Sequence, residues 1–327
     1  MNLSIFRALI STNQVQKRIS IISKYKYNID KTTTIYVDNA CGGFSAKAFL
    51  QRKDMDMSDQ ESRENDTWIE VGQHGRNSIR VVDDVVDLRR PVRPVKTARL
   101  EANAKNLIFD ANRAALVIVD MQNDFCSPEG WVGSSGADMS ASQAILQPIN
   151  KVAAAFRAQE VPVIWLSWGV RPDRLNLSPG TQLPFNTDGK GPGLAGAMNG
   201  KRGIHKVLAE GSWGAEIVDG LIVEDGDIRV SKHRISGFWD TPLDSILRNL
   251  DVTTVFFVGV NTDHCVLGTQ MDANFLGYDT IMLDDCVATT SPDYCTQATF
   301  TNVQFCFGFT ASSVKLVKAL DASLQGA

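Results

Sequence analysis

The chain has 327 residues, of which 43% are hydrophobic, so it is long enough to bury one large core or two modest ones. Its formal net charge of -4 gives no basic surface for nucleic acid, and no apolar stretch approaches the roughly 20 residues that cross a bilayer. We therefore expect a cytoplasmic protein without nucleic acid or membrane partners.

The first third of the chain is expected to lie outside the main fold. Residues 1–29 carry five Lys or Arg and no acid, as organelle transit peptides do, but a disordered extension or an upstream start codon is the preferred interpretation. Residues 54–70 hold seven acids against one arginine, which is typical of a linker. The predicted division is a disordered or poorly ordered extension over 1–67, an arm over 68–112 that packs on the main domain or on a neighbouring subunit, and a main domain over 113–327.

From Ala114 onward, apolar strands alternate with helical patterns. The pattern predicts a strand or hairpin near 79–86 in the arm, then strands at 115–119, 161–166, 228–230, 255–258 and 280–283, and helices at 141–159, 243–250, 292–303 and 312–320. Strands and helices that take turns imply parallel pairing, hence a three-layer α/β/α sandwich with a mainly parallel central sheet.

The loop between Arg171 and Gly200 contains six glycines and four prolines, too many for any long element. Because long loops in compact domains are usually functional or disordered, we predict a lid over a site at the adjacent sheet edge.

One strand runs directly into a polar turn and then a helix, in VFFVGVNTDHCVLGTQ at 255–270. Such turns lie at the carboxyl edge of an α/β sheet, where ligands bind. Cys265 falls at the predicted start of the helix, where backbone N–H groups and the helix dipole favour a thiolate and so lower a thiol's pKa. The other cysteines form no C-x-x-C pair, and we interpret them as small buried hydrophobes.

Two charged residues follow other predicted strands. Asp120 ends the run LVIVD, and Lys232 follows Ile228 to Val230. A carboxylate at the end of a buried strand needs a partner, and a lysine there can hold it ionised and attract a thiolate. We therefore expect a Cys265, Asp120 and Lys232 cluster, whereas Asp124 fits a helix cap better.

Three segments together resemble the isochorismatase-like cysteine hydrolases: VIVDMQNDF around Asp120, SKHRISGFWDTPLD around Lys232 and GVNTDHCVLGTQMDANFLGYDTIMLDDC around Cys265. The resemblance spans about 114–320. It implies that Asp120 is the proton acceptor, that Lys232 stabilises the ionic cluster and that Cys265 attacks an amide carbon. It also implies a cis peptide bond before Asn261, and an oxyanion hole made by the backbone N–H groups of Asn261 and Cys265.

The resemblance is strongest to the branch that uses neither metal nor cofactor: ureidoacrylate amidohydrolase, biuret hydrolase and N-carbamoylsarcosine amidohydrolase. Nicotinamidases of this family bind a metal through an aspartate and two histidines, but the matching stretch LSWGVRPDRLN has Asp173 and no histidine. The expected substrate is a small ureido, carbamoyl or carboxamide compound, and homo-oligomers, dimers or tetramers, are usual. The side chains that we expect to line the substrate pocket are Gln122, Asn123, Phe125, Trp168, Phe238 and Trp239.

Two alternatives stay open at this point. One is an isochorismatase-type or nicotinamidase-type hydrolase of another small ring substrate. The other is a catalytically idle scaffold. An active site predicts that iodoacetamide labels Cys265 faster than the other cysteines, whereas unselective labelling favours the scaffold.

Overall fold

The computed structural model describes residues 67–325 except residues 74, 104 and 201, so the extension predicted over 1–67 lies almost wholly outside the described residues. The strands are β1 (Ile69–Gln73), β2 (Asn77–Val82), β3 (Val85–Asp87), β4 (Thr97–Glu101), β5 (Asn106–Asp110), β6 (Ala114–Val119), β7 (Val163–Trp168), β8 (Ala197–Gly200), β9 (Gly203–Lys206), β10 (Ile228–Lys232), β11 (Thr254–Val260), β12 (Asp279–Ala288) and β13 (Phe309–Ala311). The α-helices are α1 (Asn123–Cys126), α2 (Trp131–Ser134), α3 (Ser140–Ala144), α4 (Leu146–Ala158), α5 (Pro179–Gln182), α6 (Leu243–Asn249), α7 (Leu267–Phe275), α8 (Asp293–Asn302) and α9 (Ser313–Gln325).

A six-stranded sheet forms the centre of the fold, in the order β10-β7-β6-β11-β12-β13, and every neighbouring pair is parallel. With its flanking helices, the sheet makes the predicted α/β/α sandwich. The chain moves outward from β6 through β7 to β10 and then returns to the other side of β6 as β11. The strand order therefore reverses between β6 and β11, and ligands of open α/β sheets bind at such a point.

The two strands at this reversal are completely buried, which explains their unbroken apolar sequences. Every residue of β6 and β11 is buried, as expected for strands covered on both faces. Gly259 has a φ of 113°, and a Cβ at this position would lie 2.1 Å from the carbonyl oxygen of Val119. Only glycine can therefore occupy the point where the end of β11 approaches β6 so closely.

The observed helices differ from the predicted ones mainly at one position, where a predicted helix is divided into two. The continuous helix predicted over 141–159 is wrong, because α3 ends at Ala144 and α4 begins at Leu146. Pro148 lies in the first turn of α4, where its missing N–H is tolerated, but its ring would clash with the Ala144 carbonyl in an unbroken helix. The helix Pro292–Val303 is confirmed as α8 and is followed by a π-helical turn, Val303–Phe307.

The loop 171–200 contains more structure than predicted. It includes α5, a short 3-10 turn at Leu183–Phe185 and β8, which pairs with β9 as a hairpin. Leu177 and Leu194 are buried, so the segment packs on the domain through a few apolar side chains.

The described part of the arm contains the predicted hairpin, β2–β3, extended by β1, and a second hairpin, β4–β5, that was not predicted. Ala98 and Leu100 of β4 are each 1% exposed, and β4 packs on α9. The ring of Phe109 lies 5.2 Å from that of Phe256 in β11. The second hairpin therefore shares the core of the main domain. Among the described helices, none combines the length and the apolar character that a membrane crossing requires.

Candidate active site

Asp120, Lys232 and Cys265 meet at the carboxyl edge of the sheet, as predicted. The Nζ of Lys232 lies 2.8 Å from Oδ2 of Asp120, and the Asp120 carboxylate and the Cys265 thiol influence each other's pKa. Lys232 is 0% exposed, Asp120 1% and Cys265 5%. The structure therefore brings three reactive groups from separate strands into one closed cluster.

The backbone aims each of the two charged side chains. Asp120 follows β6 with a φ of 50°, a left-handed conformation that turns the chain away from the strand direction. Its N–H donates to the Leu166 carbonyl of the next strand (2.8 Å), which fixes the turn. Lys232 is the last residue of β10, and its Nζ also donates to the Arg234 carbonyl (3.1 Å).

Cys265 lies in a π-helical turn, Thr262–Val266, that connects β11 to α7. The peptide bond between Val260 and Asn261 is cis, as the family resemblance implied. The Asn261 carbonyl accepts hydrogen bonds from the N–H groups of His264 (3.1 Å) and Val266 (3.2 Å), and Cys265 lies between these donors. The oxyanion hole assigned to Asn261 and Cys265 stays a prediction.

Burial dominates the electrostatics of the cluster. Loss of water raises the pKa of the Asp120 carboxyl, and the Lys232 ammonium offsets part of this effect. Burial likewise raises the pKa of the Cys265 thiol to about 12, because the stabilising charge of Lys232 is outweighed by burial together with the Asp120 carboxylate. At neutral pH the resting site therefore holds a neutral thiol.

The expectation about the thiol's pKa is wrong, and the expectation about its alkylation stays a prediction. A helix start was expected to lower its pKa, but here the desolvation of a fully buried sulfur is the larger effect. Iodoacetamide was expected to react first with Cys265, yet Cys306 is exposed and Cys265 is buried. Since alkylation needs an accessible thiolate, Cys306 should react faster in the closed structure.

Gln122 and Asn123, which were predicted to contact substrate, bond to the protein backbone. The Gln122 amide donates to the carbonyls of Trp168 and Ala215 (both 2.7 Å) and accepts from the Trp168 N–H (2.8 Å). The Asn123 amide donates to the Trp213 carbonyl (2.9 Å). These contacts support a role in holding the loops of the site, and a substrate contact by either residue stays a prediction.

Trp168 and two aromatic residues that the sequence analysis did not identify form one wall beside the cluster. The ring of Trp168 lies 4.4 Å from Nζ of Lys232, and Phe185 packs against Trp168 (5.1 Å) and Trp131 (5.8 Å). Phe185 is the one aromatic residue in the sequence of the loop 171–200, a signal that could have identified it. Its contact with Trp168 agrees with the predicted lid.

The remaining predicted pocket residues differ in their surroundings. Phe125 is 8% exposed and belongs to the core. Phe238 packs on Tyr278 (6.0 Å), whereas Trp239 is 63% exposed and its Nε1 donates to Asp272 of α7 (2.8 Å). These contacts do not connect Phe238 or Trp239 to the cluster, so their substrate role stays a prediction.

A cleft of about 200 Å³ lies next to the cluster and is lined by Trp168, Gly169 and Ser231 among others. Cys265 is not among its lining residues.

Asp124 bonds to a histidine and to two backbone N–H groups. It accepts from the N–H groups of Trp131 (3.0 Å), the first residue of α2, and Leu208 (2.8 Å), and it lies 2.9 Å from His205, so it binds the start of a helix and also holds the chain near His205. Across residues 67–325, leaving out the three undescribed positions, no group of three or more His, Cys, Asp or Glu side chains could hold a metal.

The isochorismatase domain matches residues 114–313. A solved cysteine hydrolase from Pseudomonas syringae pv. phaseolicola is 26% identical, with a TM-score of 0.56 and coverage of 71% of this chain and 99% of that chain. An isochorismatase family protein from Desulfovibrio vulgaris is also 26% identical, with a TM-score of 0.51 and coverage of 65% and 98%. N-carbamoylsarcosine amidase from Thermoplasma acidophilum is 25% identical, with a TM-score of 0.46 and coverage of 62% and 96%. The chain belongs to the isochorismatase family of hydrolases.

Proposed function

We propose that the protein is a cysteine-dependent amidohydrolase that cleaves a C–N bond of a small ureido, carbamoyl or carboxamide substrate. The observation that carries the proposal is that the Cys265 thiol is buried in the same cluster as a carboxylate, Asp120, which is paired to Lys232 at 2.8 Å. A thiol beside a base can attack a carbonyl carbon, so Cys265 is the nucleophile. Asp120 and Lys232 are then not nucleophiles in the proposed reaction. The likeness to a solved cysteine hydrolase supports the same chemistry.

The first step is attack on the carbonyl. Because burial holds the pKa of Cys265 near 12, the sulfur does not wait as a thiolate, and Asp120 takes its proton as the S–C bond forms. Burial raises the pKa of Asp120, which makes its carboxylate a stronger base, while Lys232 keeps it ionised until then. The carbonyl oxygen becomes negative, and backbone N–H groups of the Asn261 to Cys265 turn are the donors that we propose for it.

The second step releases nitrogen. Asp120 returns the proton to the leaving nitrogen, so the C–N bond breaks, ammonia departs and a thioester to Cys265 remains. Water then attacks the thioester with Asp120 as its base, which releases the acid, or a carbamate from a ureido substrate, and restores the thiol. No metal and no cofactor takes part in the proposed cycle.

The aromatic wall of Trp168, Phe185 and Trp131 supports a planar substrate. Rings at these distances can pack on a flat carbonyl compound, and the small cleft favours a compact molecule over a polymer. The ring planes of Trp131 and Phe185 differ by 30°, so the two rings are stacked.

The direct test is Cys265→Ala with ammonia release measured over a panel of ureido acids, aryl amides and carbamoyl amino acids. We expect activity to fall below detection because the nucleophile is gone. Cys306→Ala is the matched control, since it removes an exposed thiol, and it should retain full activity. Full activity in Cys265→Ala, or an equal loss in both variants, would reject the proposal.

The alternatives make different predictions for the same purified protein. A catalytically idle scaffold releases no ammonia from any member of the panel. A nicotinamidase-type enzyme contains zinc or iron in stoichiometric amount, which metal analysis detects.

A further inference from the structure

Trp168 is placed between the other members of the cluster. It is the last residue of β7, and β7 lies between β10, which ends at Lys232, and β6, which precedes Asp120. Its side chain is 1% exposed. The Trp168 side chain therefore lies inside the site, where it contacts Lys232.

The indole N–H of Trp168 is a buried donor inside the cluster. Among the residues that the structure describes, Nε1 has no hydrogen-bond partner, so this donor is free to bond a group that becomes charged during the reaction. Trp168 acts to lower the pKa of the Cys265 thiol, against the larger effect of burial. Hydrogen bonds to an ionised acceptor are roughly twice as strong as those to a neutral one, so this donor favours the thiolate.

The face of the same ring contacts the ammonium of Lys232, whose Nζ lies 4.4 Å from the ring centre. A cation over a tryptophan face is attracted by the negative charge of the π system. The ring therefore helps to hold the Lys232 ammonium, which lies 2.8 Å from the Asp120 carboxylate.

The backbone of Trp168 is fixed by Gln122, two residues after Asp120. Gln122 accepts the Trp168 N–H (2.8 Å) and donates to the Trp168 carbonyl (2.7 Å). Because one amide makes both bonds, the indole cannot shift along β7 without breaking them. Asp120 and Trp168 are thereby held in register with each other.

We propose that Trp168 stabilises the nucleophile: its indole N–H donates to the Cys265 sulfur as negative charge develops there, and its ring face holds Lys232 against Asp120. The inference rests on the proposed function, because this thiolate is the nucleophile of that reaction. Asp120 and Lys232 are the charged groups that face the same sulfur, and neither is changed in the test.

The test compares Trp168→Phe with Trp165→Phe. Both replace a buried tryptophan of β7, but the Trp165 Nε1 donates to Asp227 (2.7 Å) instead of the cluster. The readout is the rate at which iodoacetamide modifies Cys265, followed on its own peptide by mass spectrometry from about pH 7 to pH 9. Below the thiol's pKa this rate follows the thiolate fraction, so a rise of one pKa unit slows it roughly ten-fold.

We expect Trp168→Phe to slow the modification of Cys265 roughly ten-fold at each pH and to lower kcat by a similar factor, with little change in KM. Trp165→Phe should lose thermal stability and keep the wild-type rate. Incorporation of 3-benzothienylalanine at position 168 keeps the size of the ring but lacks the N–H, and should reproduce the slower rate even if Trp168→Phe folds poorly.

An unchanged rate in the benzothienylalanine protein would overturn the inference, and so would an equal effect of Trp165→Phe. Alkylation needs no substrate, so its outcome is independent of the proposed activity. If the rate falls but no substrate of the panel is hydrolysed, the proposed function fails and the thiolate contact stands. If Cys265→Ala abolishes ammonia release but the variants at position 168 are alkylated at Cys265 at the wild-type rate, only this inference fails and the proposed function stands.

Discussion

Asp120 and Lys232 are opposite charges in a region from which water is excluded. Removing two ions from water costs several kcal/mol each, and their attraction repays this only while both are present. Removing one partner of this 2.8 Å contact is therefore expected to lower stability by more than the intact pair adds to it.

We expect Lys232→Met to lower the free energy of unfolding by on the order of 3 kcal/mol, because it leaves the buried Asp120 carboxyl without its partner. The double variant Asp120→Asn/Lys232→Met removes both charges and should recover a large part of that loss. Urea denaturation of the wild type, both single variants and the double variant measures the coupling. Losses that simply add would show that the two charges are not coupled.

Buried thiols also make stability depend on pH. Burial is the main cause that raises the pKa of Cys126 and of Cys265 to about 12. The folded state therefore keeps these protons at a pH where the unfolded chain has released them. The stability contribution is complete below the unfolded thiol's pKa near 9 and is lost as pH rises toward 12.

Between about pH 8 and pH 10, each such thiol should lower the free energy of unfolding by about 1.4 kcal/mol. We expect Cys126→Ser to remove that share of the pH dependence, whereas Cys306→Ser, at an exposed position, should leave it unchanged. Urea midpoints of the three proteins at both pH values provide the measurement. An equal pH dependence in all three would contradict the assignment.

At the scale of elements, the segment between β7 and β8 packs on the aromatic wall of the site. Phe185 packs on Trp131 and Trp168, while neighbouring Leu183 is 60% exposed. A segment held by few buried apolar contacts opens at low free-energy cost. Phe185 is thus the contact of the predicted lid with the aromatic wall, while Leu177 and Leu194 fix the segment to the domain.

We expect Phe185→Ala to increase the rate of Cys265 alkylation several-fold, because the segment opens more often. Leu183→Ala is the matched control and should leave the rate unchanged. Peptide mass spectrometry at a fixed pH distinguishes Cys265 from the exposed Cys306. If both variants behave like the wild type, the segment does not control access.

The sequence predicted most elements because their patterns are local. The apolar run of β11 is one such pattern, and it was confirmed as a buried strand. Two features were missed for a physical reason: hairpin β4–β5 is stabilised by packing on α9, and the break at Ile145 depends on the ring of Pro148. Neither contact produces a periodic pattern in the sequence.

At the scale of the whole molecule, the arm contributes to the core. Leu100 of β4 is 1% exposed, and Lys315 of α9 donates to Glu101 (2.7 Å) across the same contact. The hairpin therefore covers apolar surface that the main domain would otherwise expose. Whether the chain forms the expected dimer or tetramer stays a prediction.

We expect Leu100→Ala to lower the free energy of unfolding by roughly 2–4 kcal/mol, because it leaves a cavity between the arm and α9. Leu88→Ala, at a position 69% exposed, should change it by less than about 0.5 kcal/mol. Thermal and urea denaturation of both variants measure the difference. Equal stability would mean that the hairpin is not part of the domain core.

The sequence by itself determined the fold class, the family and the three residues of the cluster, because strand-end positions and segment order are properties of the chain. Only the tertiary structure decided the electrostatic state of the thiol and the partners of Trp168. A pKa depends on how much water the fold removes and on which charges it brings near, and neither quantity is encoded in any one segment. For this reason the expected low thiol pKa was wrong although the position of Cys265 was right.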